Sequence, residues 1–144
     1  MPLPRGGRAL IELTDLRDAA EAILAAEERA DGISGRTINV SGGQPIAVRD
    51  VALRLADALG QRPRLVDLPI ALAEALSRGR AKEPVLTRYT LATLAYSQTF
   101  DPKPARRLLG WEPLRDALAT LLAEARKVCG GRGLPCHPWL RGHV

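Results

Sequence analysis

Two cysteines and two histidines near the C-terminus have side chains that could bind a metal ion. Cys129, Cys136, His137 and His143 follow one another as C-x6-C-H-x5-H. Thiolate and imidazole are the ligands of structural zinc sites, but such sites usually place about two to four residues between paired cysteines. Six residues separate the cysteines here, and a disulfide is disfavoured in a reducing compartment. We therefore predict no metal site, and an irregular Gly- and Pro-rich tail over 129–144.

Arginine carries most of the positive charge of the chain. The 144 residues include 18 arginines, 3 lysines and 16 acidic residues, which leaves a net charge of +5 at pH 7. Basic chains often bind nucleic acid, but here acidic residues lie among the arginines, and the few aromatic residues form no stacking series. Because a guanidinium fork also fits phosphate or carboxylate, an anionic small molecule is the alternative partner. We do not expect nucleic acid.

The composition is that of a globular protein, with 46% hydrophobic and 26% charged residues. A chain of this length can bury a substantial core. No uncharged apolar run reaches the roughly 18 residues of a membrane span, and residues 1–8 contain no apolar signal-peptide region. We therefore expect a cytoplasmic protein that does not enter a membrane.

The spacing of apolar residues predicts an α/β fold that is mostly helical, with about six helices and three short strands. The strands are predicted over 9–13, 36–40 and 64–68. The first helix follows a cap at Thr14-Asp15 and should bury one apolar face, the α1 stripe, which comprises Leu16, Ala19, Ala20, Ile23 and Leu24. Further helices are predicted from 48 to 59, after Pro69, over 87–97, from Asp101 to Gly110, and over 114–128. Residues 1–128 would form one domain.

Three short strands so widely separated make a poor sheet, because each leaves backbone groups unpaired at its edges. We therefore expect strands from elsewhere to lie beside them.

Four segments resemble those of a known family both in their sequences and in their order along the chain. They are LIELTDLRDA (10–19), TINVSGG (37–43), VRDVA (48–52), and FDPKPA with LGWEP (100–105 and 109–113). The chain resembles the C-terminal, substrate-side portion of extended short-chain dehydrogenase/reductases, the NAD-dependent epimerase/dehydratase family. Thr14 departs from the family pattern, which has an aspartate there. The resemblance extends over about residues 8 to 125.

Two features of that family are missing from the sequence. Its members have a Gly-rich turn that binds the NAD or NADP pyrophosphate at a helix N-terminus, and a Tyr-x-x-x-Lys pair that transfers a proton. Tyr89 is followed four residues later by Thr93, and Tyr96 by Phe100. The resemblance therefore implies no catalytic residue and no cofactor bound by this chain alone, with NAD or NADP implied for the full-length enzymes.

Three residues match substrate-binding positions of the family. Arg8 lies where nucleotide-sugar enzymes place an arginine on the substrate diphosphate, and Arg88 and Tyr89 lie in the region that lines the pocket. For each, a solvated surface side chain is the alternative. The R-x-G-D element of many nucleotide-sugar members is missing, which favours hydroxysteroid-dehydrogenase-like relatives.

Other matching positions are predicted to be structural. Asp15 and Asp101 should cap helices, Asn39 should hydrogen-bond a neighbouring loop, and Trp111 should pack behind a helix end. Ala47 stands where relatives have a capping Ser or Thr.

Two functional interpretations follow. In the first, the chain is a truncated or split oxidoreductase of the epimerase/dehydratase type, which supplies the substrate-binding side and is not catalytic alone. In the second, it is a non-catalytic binding or oligomerisation module derived from that family. Both predict an apolar face that is covered by self-association or by a Rossmann-domain partner.

Overall fold

The computed structural model of the chain describes residues 1–77 and 88–130, apart from the side chains of 76, 77, 88 and 128–130. Internal contacts divide the chain into two compact units. Unit 1 comprises Met1–Ile11, Ile46–Gln98 and Leu122–Val144, and unit 2 comprises Glu12–Pro45 and Thr99–Leu121.

Helices dominate the described residues, and the strands are short. The strands are β1 (Pro2–Pro4), β2 (Leu10–Glu12), β3 (Pro45–Ala47) and β4 (Val66–Leu68). The helices are α1 (Leu16–Glu27), α2 (Ala30–Ile33), α3 (Val48–Ala58), α4 (Ile70–Ser77), α5 (Arg88–Ala95), α6 (Lys103–Leu109) and α7 (Ala117–Gly130). The predicted fold class is therefore confirmed. No described helix is both long and apolar enough to cross a membrane.

The strands form two small sheets of two strands each. β1 and β4 are parallel, with Leu3 opposite Asp67. β2 pairs with β3, and Ile11 is also bridged to Gln98. The sequence predicted neither β1 nor β3, because three residues are too few for an alternating pattern to stand out.

The strand predicted over 36–40 is wrong. This segment belongs to no strand. Its pattern is nonetheless that of a half-buried strand, since Ile38 and Val40 are partly buried while Thr37 and Asn39 are exposed. A strand is defined by a hydrogen-bonded neighbour, and none of the described residues supplies one.

Two apolar clusters hold unit 1 together. Leu3, Ala9 and Val48 form the first, against which Ile11, Leu65 and Leu94 pack. Leu68, Ala73 and Leu91 form the second and join β4 to α4 and α5. The N-terminal segment that carries Arg8 is thus fixed to the rest of unit 1 by buried apolar contacts on both sides.

Unit 2 has a small core built largely from alanine. Ala22 of α1 packs with Ala105 and Leu109 of α6 and with Trp111, as predicted for the tryptophan. Gly110 ends α6 in the left-handed conformation at φ 61°, which glycine adopts without strain. Asp101 accepts a hydrogen bond of 3.0 Å from the backbone N–H of Lys103, so it caps α6 as predicted.

Helix α1 does not bury the face that its apolar residues predict. Its buried residues are Asp18 and Ala22, whereas Leu16, Ile23 and Leu24 are 84%, 70% and 63% exposed. The predicted burial of the α1 stripe is therefore wrong for these three side chains and for Ala20, which is also exposed, whereas Ala19 is partly buried. These side chains are exposed because Asp15 and Asp18 form ion pairs with Arg17 and Arg115, and the face of the helix that carries the two aspartates is buried instead.

Gly42 offers a direct test of the packing in unit 2. A Cβ at Gly42 would overlap the carbonyl oxygen of Leu13, whereas a Cβ at Gly32 would meet no atom within 4 Å. We expect Gly42→Ala to lower the free energy of unfolding by roughly 1–3 kcal/mol, as overpacking does. Gly32→Ala, the matched control, should be neutral or stabilising by up to about 1 kcal/mol. Urea denaturation measures both, and equal stability of the two variants would contradict the packing described here.

Candidate functional site

A turn of unusual backbone conformation presents the predicted substrate-binding residue Arg8. Arg5, Gly6 and Gly7 all have positive φ, at 51°, 64° and 68°. Glycine adopts positive φ without strain, but an arginine in this backbone conformation costs of the order of 1 kcal/mol. We call residues 5–8 the arginine turn. It directly follows β1 and lies two residues before β2.

Close packing holds the arginine turn in this conformation. A Cβ at Gly7 would lie 2.7 Å from a side-chain carbon of Leu3 and 3.0 Å from the backbone of Arg49, so only glycine fits there. The backbone N–H of Arg8 donates to the carbonyl oxygen of Arg5 at 3.4 Å. The turn is therefore fixed against β1 and α3, and it places two arginine side chains at the surface.

Tyr96 is the tyrosine that lies at the arginine turn. The guanidinium carbon of Arg5 lies 5.8 Å from the centre of its ring, which is a cation–π contact. The chain just after Tyr96 is anchored to β2, because the N–H of Gln98 donates to Leu10 at 2.7 Å and the hydroxyl of Ser97 accepts from Leu10 at 3.0 Å. Neither Arg5 nor Tyr96 was predicted from the sequence.

Arg8 itself is exposed and forms no ion pair with any described carboxylate. Arg49, whose backbone packs against Gly7, has its guanidinium Nε 3.9 Å from a carboxylate oxygen of Asp50. Two exposed arginines on one turn can together bind an anion. We take Arg5, Arg8 and Tyr96 as the candidate site.

Tyr89 and Arg88 lie at the start of α5. The Tyr89 side chain is 81% exposed, and its carbonyl oxygen accepts a 3.0 Å hydrogen bond from the Thr93 hydroxyl. The side chain of Arg88 lies outside the described residues. No described interaction joins Tyr89 to the arginine turn, so the contribution of both residues to a binding site stays a prediction.

A second polar cluster, in unit 2, is structural. Asp15 caps α1 and is buried, accepting from the backbone N–H and the guanidinium of Arg17 at 2.8–2.9 Å and from the Thr120 hydroxyl at 2.8 Å. Hydrogen bonds from Arg17 hold the pKa of Asp15 well below its usual range. All these contacts are within hydrogen-bond distance, so little of this carboxylate is left for chemistry.

Arg115 completes that cluster. Its guanidinium pairs with the buried carboxylate of Asp18 and, at 2.7 Å, with Glu21. Its backbone N–H donates to Asp18 at 3.0 Å. The hydrogen bonds that Arg115 donates to Glu21 and Asp18 raise the pKa of Arg115, and the bond to Glu21 lowers the pKa of that carboxyl. The cluster thus ties the segment before α7 to α1.

The glycine turns do not fit a dinucleotide. A pyrophosphate needs glycines between a strand and the N-terminus of a helix. The arginine turn leads instead into strand β2. The space beside Gly42 is occupied by the backbone of Leu13. The carboxylate of Asp15 already caps α1, and Ala47 precedes α3 with no glycine between them and, as predicted, no side-chain cap. We therefore derive no chemical step through NAD or NADP on the described residues.

Two further expectations concern other residues. Asn39 is exposed and makes no hydrogen bond to a described residue, so its predicted bond to a loop is not found. Within the described ranges, no three His, Cys, Asp or Glu side chains come together as a metal site. Cys136, His137 and His143 lie outside these ranges, and so does the side chain of Cys129.

Unit 2 also contains an apolar cavity of about 470 Å³. Its walls are formed by α1, α2 and the segment that follows, and polar groups occur only at Thr14 and Arg36. The lining residues are Thr14, Ala19, Ala22, Ile23, Ala26, Ile33, Arg36, Ile38, Val40 and Leu109. Nothing in the sequence indicated this cavity, because periodicity does not show which side chains within residues 14–40 face one another, nor that Leu109 lies beside them.

The sequence is similar to that of the uncharacterized protein YbjS of Escherichia coli strain K12. The two are 34% identical over 121 residues, which cover 78% of this chain and 36% of YbjS. The chain thus spans about a third of the length of this relative. No known family model matches the sequence.

Solved structures with a similar fold include three enzymes. UDP-glucuronic acid 4-epimerase from Bacillus cereus, in complex with NAD, has a TM-score of 0.60 and 17% identity, with 94% of this chain and 35% of the epimerase aligned. UDP-galactose 4-epimerase has a TM-score of 0.56 and 20% identity, with 85% and 34% aligned. RMD from Pseudomonas aeruginosa, complexed with NADPH, has a TM-score of 0.56 and 17% identity, with 89% and 36% aligned. The chain therefore has the fold of about a third of such enzymes.

The lowered pKa of Asp15 predicts how stability changes with pH. Because ionised Asp15 is favoured in the folded chain, its contribution is complete above the unfolded pKa near 4 and is lost as pH falls below it. Asp15→Asn keeps a good helix cap but removes the charge. We expect the wild type to be more stable than this variant at pH 7 and the difference to shrink by pH 2.

Urea denaturation at pH 7, 4 and 2 measures this difference. Asp57→Asn, at an exposed position on α3, is the matched control and should show little dependence on pH. A constant difference between wild type and Asp15→Asn over the whole range would contradict the assignment.

Proposed function

We propose that the chain supplies the substrate-binding side of an NAD(P)-dependent oxidoreductase of the epimerase/dehydratase type. In this proposal it corresponds to the C-terminal part of such an enzyme, and the dinucleotide is bound by a part outside this sequence. The match to about a third of two epimerases and of an NADPH complex supports this assignment. The order of the four sequence segments supports it independently.

The arginine turn is the observation that carries the proposal. The exposed guanidinium of Arg8 lacks a carboxylate partner among the described residues, whereas the polar cluster of unit 2 has its carboxylates and guanidiniums paired with one another. A guanidinium left unpaired at a rigid turn is a preorganised donor for phosphate or carboxylate. Arg8 would bind an anionic group of the substrate, and Arg5 with Tyr96 would contribute further contacts from the same turn.

Substrate binding, without proton transfer, is the role left to these residues. The sequence has no lysine four residues after Tyr89 or Tyr96, so neither tyrosine belongs to a Tyr-x-x-x-Lys pair that could transfer a proton. We assign Arg8, Arg88 and Tyr89 to substrate binding and assign no catalytic residue. The substrate class is an anionic small molecule.

A second candidate is a non-catalytic binding or oligomerisation module. The exposed α1 stripe favours it, because contiguous apolar surface is commonly covered by another chain. Light scattering coupled to size-exclusion chromatography distinguishes the two. A stable oligomer that binds no small anion supports the module, and a monomer that binds an anion through Arg8 supports the enzyme part.

Isothermal titration calorimetry with NAD, NADH, NADP and NADPH tests whether the dinucleotide is bound outside this sequence, as proposed. We expect none of the four to bind the isolated chain with a micromolar Kd, because no described glycine turn fits a pyrophosphate. The positive controls are RMD from Pseudomonas aeruginosa for NADPH and UDP-glucuronic acid 4-epimerase from Bacillus cereus for NAD, whose structures are complexes with these dinucleotides. Micromolar binding by this chain would overturn the proposal.

Pyrophosphate binding tests the role of Arg8. One charge-assisted hydrogen bond contributes about 1.5 kcal/mol or more, which is about tenfold in affinity. We expect Arg8→Ala to weaken pyrophosphate binding by about that factor, and Arg8→Lys to weaken it less, because lysine keeps the charge but loses the fork. Arg54→Ala, an exposed arginine of α3, is the control and should leave the affinity unchanged. Equal affinities of wild type and Arg8→Ala would contradict the assignment.

A further inference from the structure

An aspartate of strand β4 lies against the arginine turn. Asp67 is opposite Leu3 in the parallel pair of β1 and β4, and residues opposite each other in neighbouring strands point to the same face of the sheet. The side chain of Leu3 packs against Gly7 of the turn. Asp67 therefore points to the face of this small sheet that the arginine turn covers.

The carboxylate of Asp67 and the guanidinium of Arg8 both lie beside Gly6. A Cβ at Gly6 would lie 3.6 Å from Oδ2 of Asp67 and 3.9 Å from Nε of Arg8. Gly6 has a φ of 64°, which disfavours any residue with a side chain at this position. The two opposite charges therefore flank a position of the turn where glycine leaves space.

Neither of these two charges is neutralised by its surroundings. Arg8 and Asp67 are exposed, and in the part of the chain that the structure describes neither side chain takes part in an ion pair or a hydrogen bond. The guanidinium of Arg5, the other arginine of the turn, lies over the ring of Tyr96. The carboxylate of Asp67 is thus available to a ligand, as the guanidinium of Arg8 is.

Aspartate is an unusual residue at this place in the fold. It is depleted in β-strands, and a carboxylate near an arginine that binds anions weakens the binding of a bare anion through like-charge repulsion. A protonated amine on the same ligand reverses this effect, because it is attracted to the carboxylate and donates a charge-assisted hydrogen bond to it. Local sequence rules are broken most often at functional sites, so Asp67 indicates selectivity for such a ligand.

We propose that Asp67 is a specificity-determining residue, which binds a protonated amine on a substrate whose anionic group is bound by Arg8. The inference rests on the proposed function, since Arg8 is the anion-binding residue in both. It narrows the substrate class to small molecules in which an amine and a phosphate or carboxylate are joined by a short linker. The linker is short because both side chains lie within 4 Å of a single position beside Gly6.

A hydroxyl group is a poorer match to Asp67 than an amine. A hydroxyl donates a hydrogen bond to a carboxylate, but it carries no charge to offset the repulsion between Asp67 and the anionic group of the ligand. A direct ion pair between Arg8 and Asp67 is the arrangement that competes with ligand binding. Exposed ion pairs contribute little to stability, so a ligand that satisfies both charges can replace it.

Nuclear magnetic resonance titration of the full chain with phosphoethanolamine and ethyl phosphate tests the inference. The two probes share a phosphate on a two-carbon chain, and only phosphoethanolamine carries an ammonium group. We expect the wild type to bind phosphoethanolamine about threefold more tightly than ethyl phosphate, which is the size of effect that an exposed charge pair has. The backbone amide signals of Gly6 and Arg8 report the binding.

Asp67→Asn should reverse this preference. Loss of the charge removes both the attraction to the ammonium group and the repulsion of the phosphate. Phosphoethanolamine should therefore bind about threefold more weakly than to the wild type, and ethyl phosphate should bind more tightly. Asp57→Asn, at an exposed position on α3, changes the net charge by the same amount and is the matched control, which should alter either affinity less than twofold. Asp67→Glu keeps the charge and should retain the preference for phosphoethanolamine.

Three outcomes would overturn the inference. The first, which needs no variant, is a wild type that binds ethyl phosphate at least as tightly as phosphoethanolamine. The second is tighter binding of both probes to Asp67→Asn, which would show that Asp67 does no more than pair with Arg8. The third is a higher affinity for glycerol 3-phosphate than for phosphoethanolamine, which would assign the carboxylate to a hydroxyl group.

Failure of the proposed function would be seen in different measurements. These are dinucleotide binding by the isolated chain and pyrophosphate binding that is independent of Arg8, and neither measurement depends on Asp67. Absence of binding by both phosphate probes would overturn the anion-binding role of Arg8 and this inference together.

Discussion

The ion pair between Asp18 and Arg115 determines how helix α1 is oriented in unit 2. A carboxylate as deeply buried as that of Asp18 is tolerated only when it is paired and hydrogen-bonded, and Arg115 provides both its guanidinium and its backbone N–H. Asp15 makes equivalent contacts with Arg17 and Thr120 one turn earlier. These contacts turn Asp15 and Asp18 toward the segment before α7, and Leu16, Ile23 and Leu24 are left at the surface.

Much of the fold could be predicted from local signals in the sequence. The Asp15 cap, the uncapped start of α3 at Ala47 and the left-handed Gly110 all depend on residues that are close in sequence, and the structure has each of them. The orientation of α1 could not be predicted this way. Periodicity identifies an apolar face, but the partner of that face is a matter of tertiary contacts, and here buried ion pairs outweigh the leucines. The strand predicted over 36–40 is wrong for the same reason, since a strand also requires a hydrogen-bonded neighbouring strand that the local pattern does not show.

The candidate site was predicted only in part, for a related reason. Arg8 was identified through its position next to the segment 10–19, and the structure places it at an exposed, rigid turn. Arg5 and Tyr96 were missed because they are ninety-one residues apart and meet only when Gln98 is bonded to β2. One signal was available, the pair of glycines between Arg5 and Arg8, which indicates a turn that brings two arginines to one surface. Tyr89 was chosen from the resemblance alone, and no described contact links it to that surface.

The alanine contact between α1 and α6 also affects how the stability of unit 2 changes with temperature. Ala22 and Ala105 have small side chains, so little hydrocarbon is removed from water where these two residues meet. The heat capacity increment of unfolding scales with the apolar area that unfolding exposes. Most of the contribution of this core to the curvature of the stability curve therefore comes from the larger buried side chains of Leu109 and Trp111.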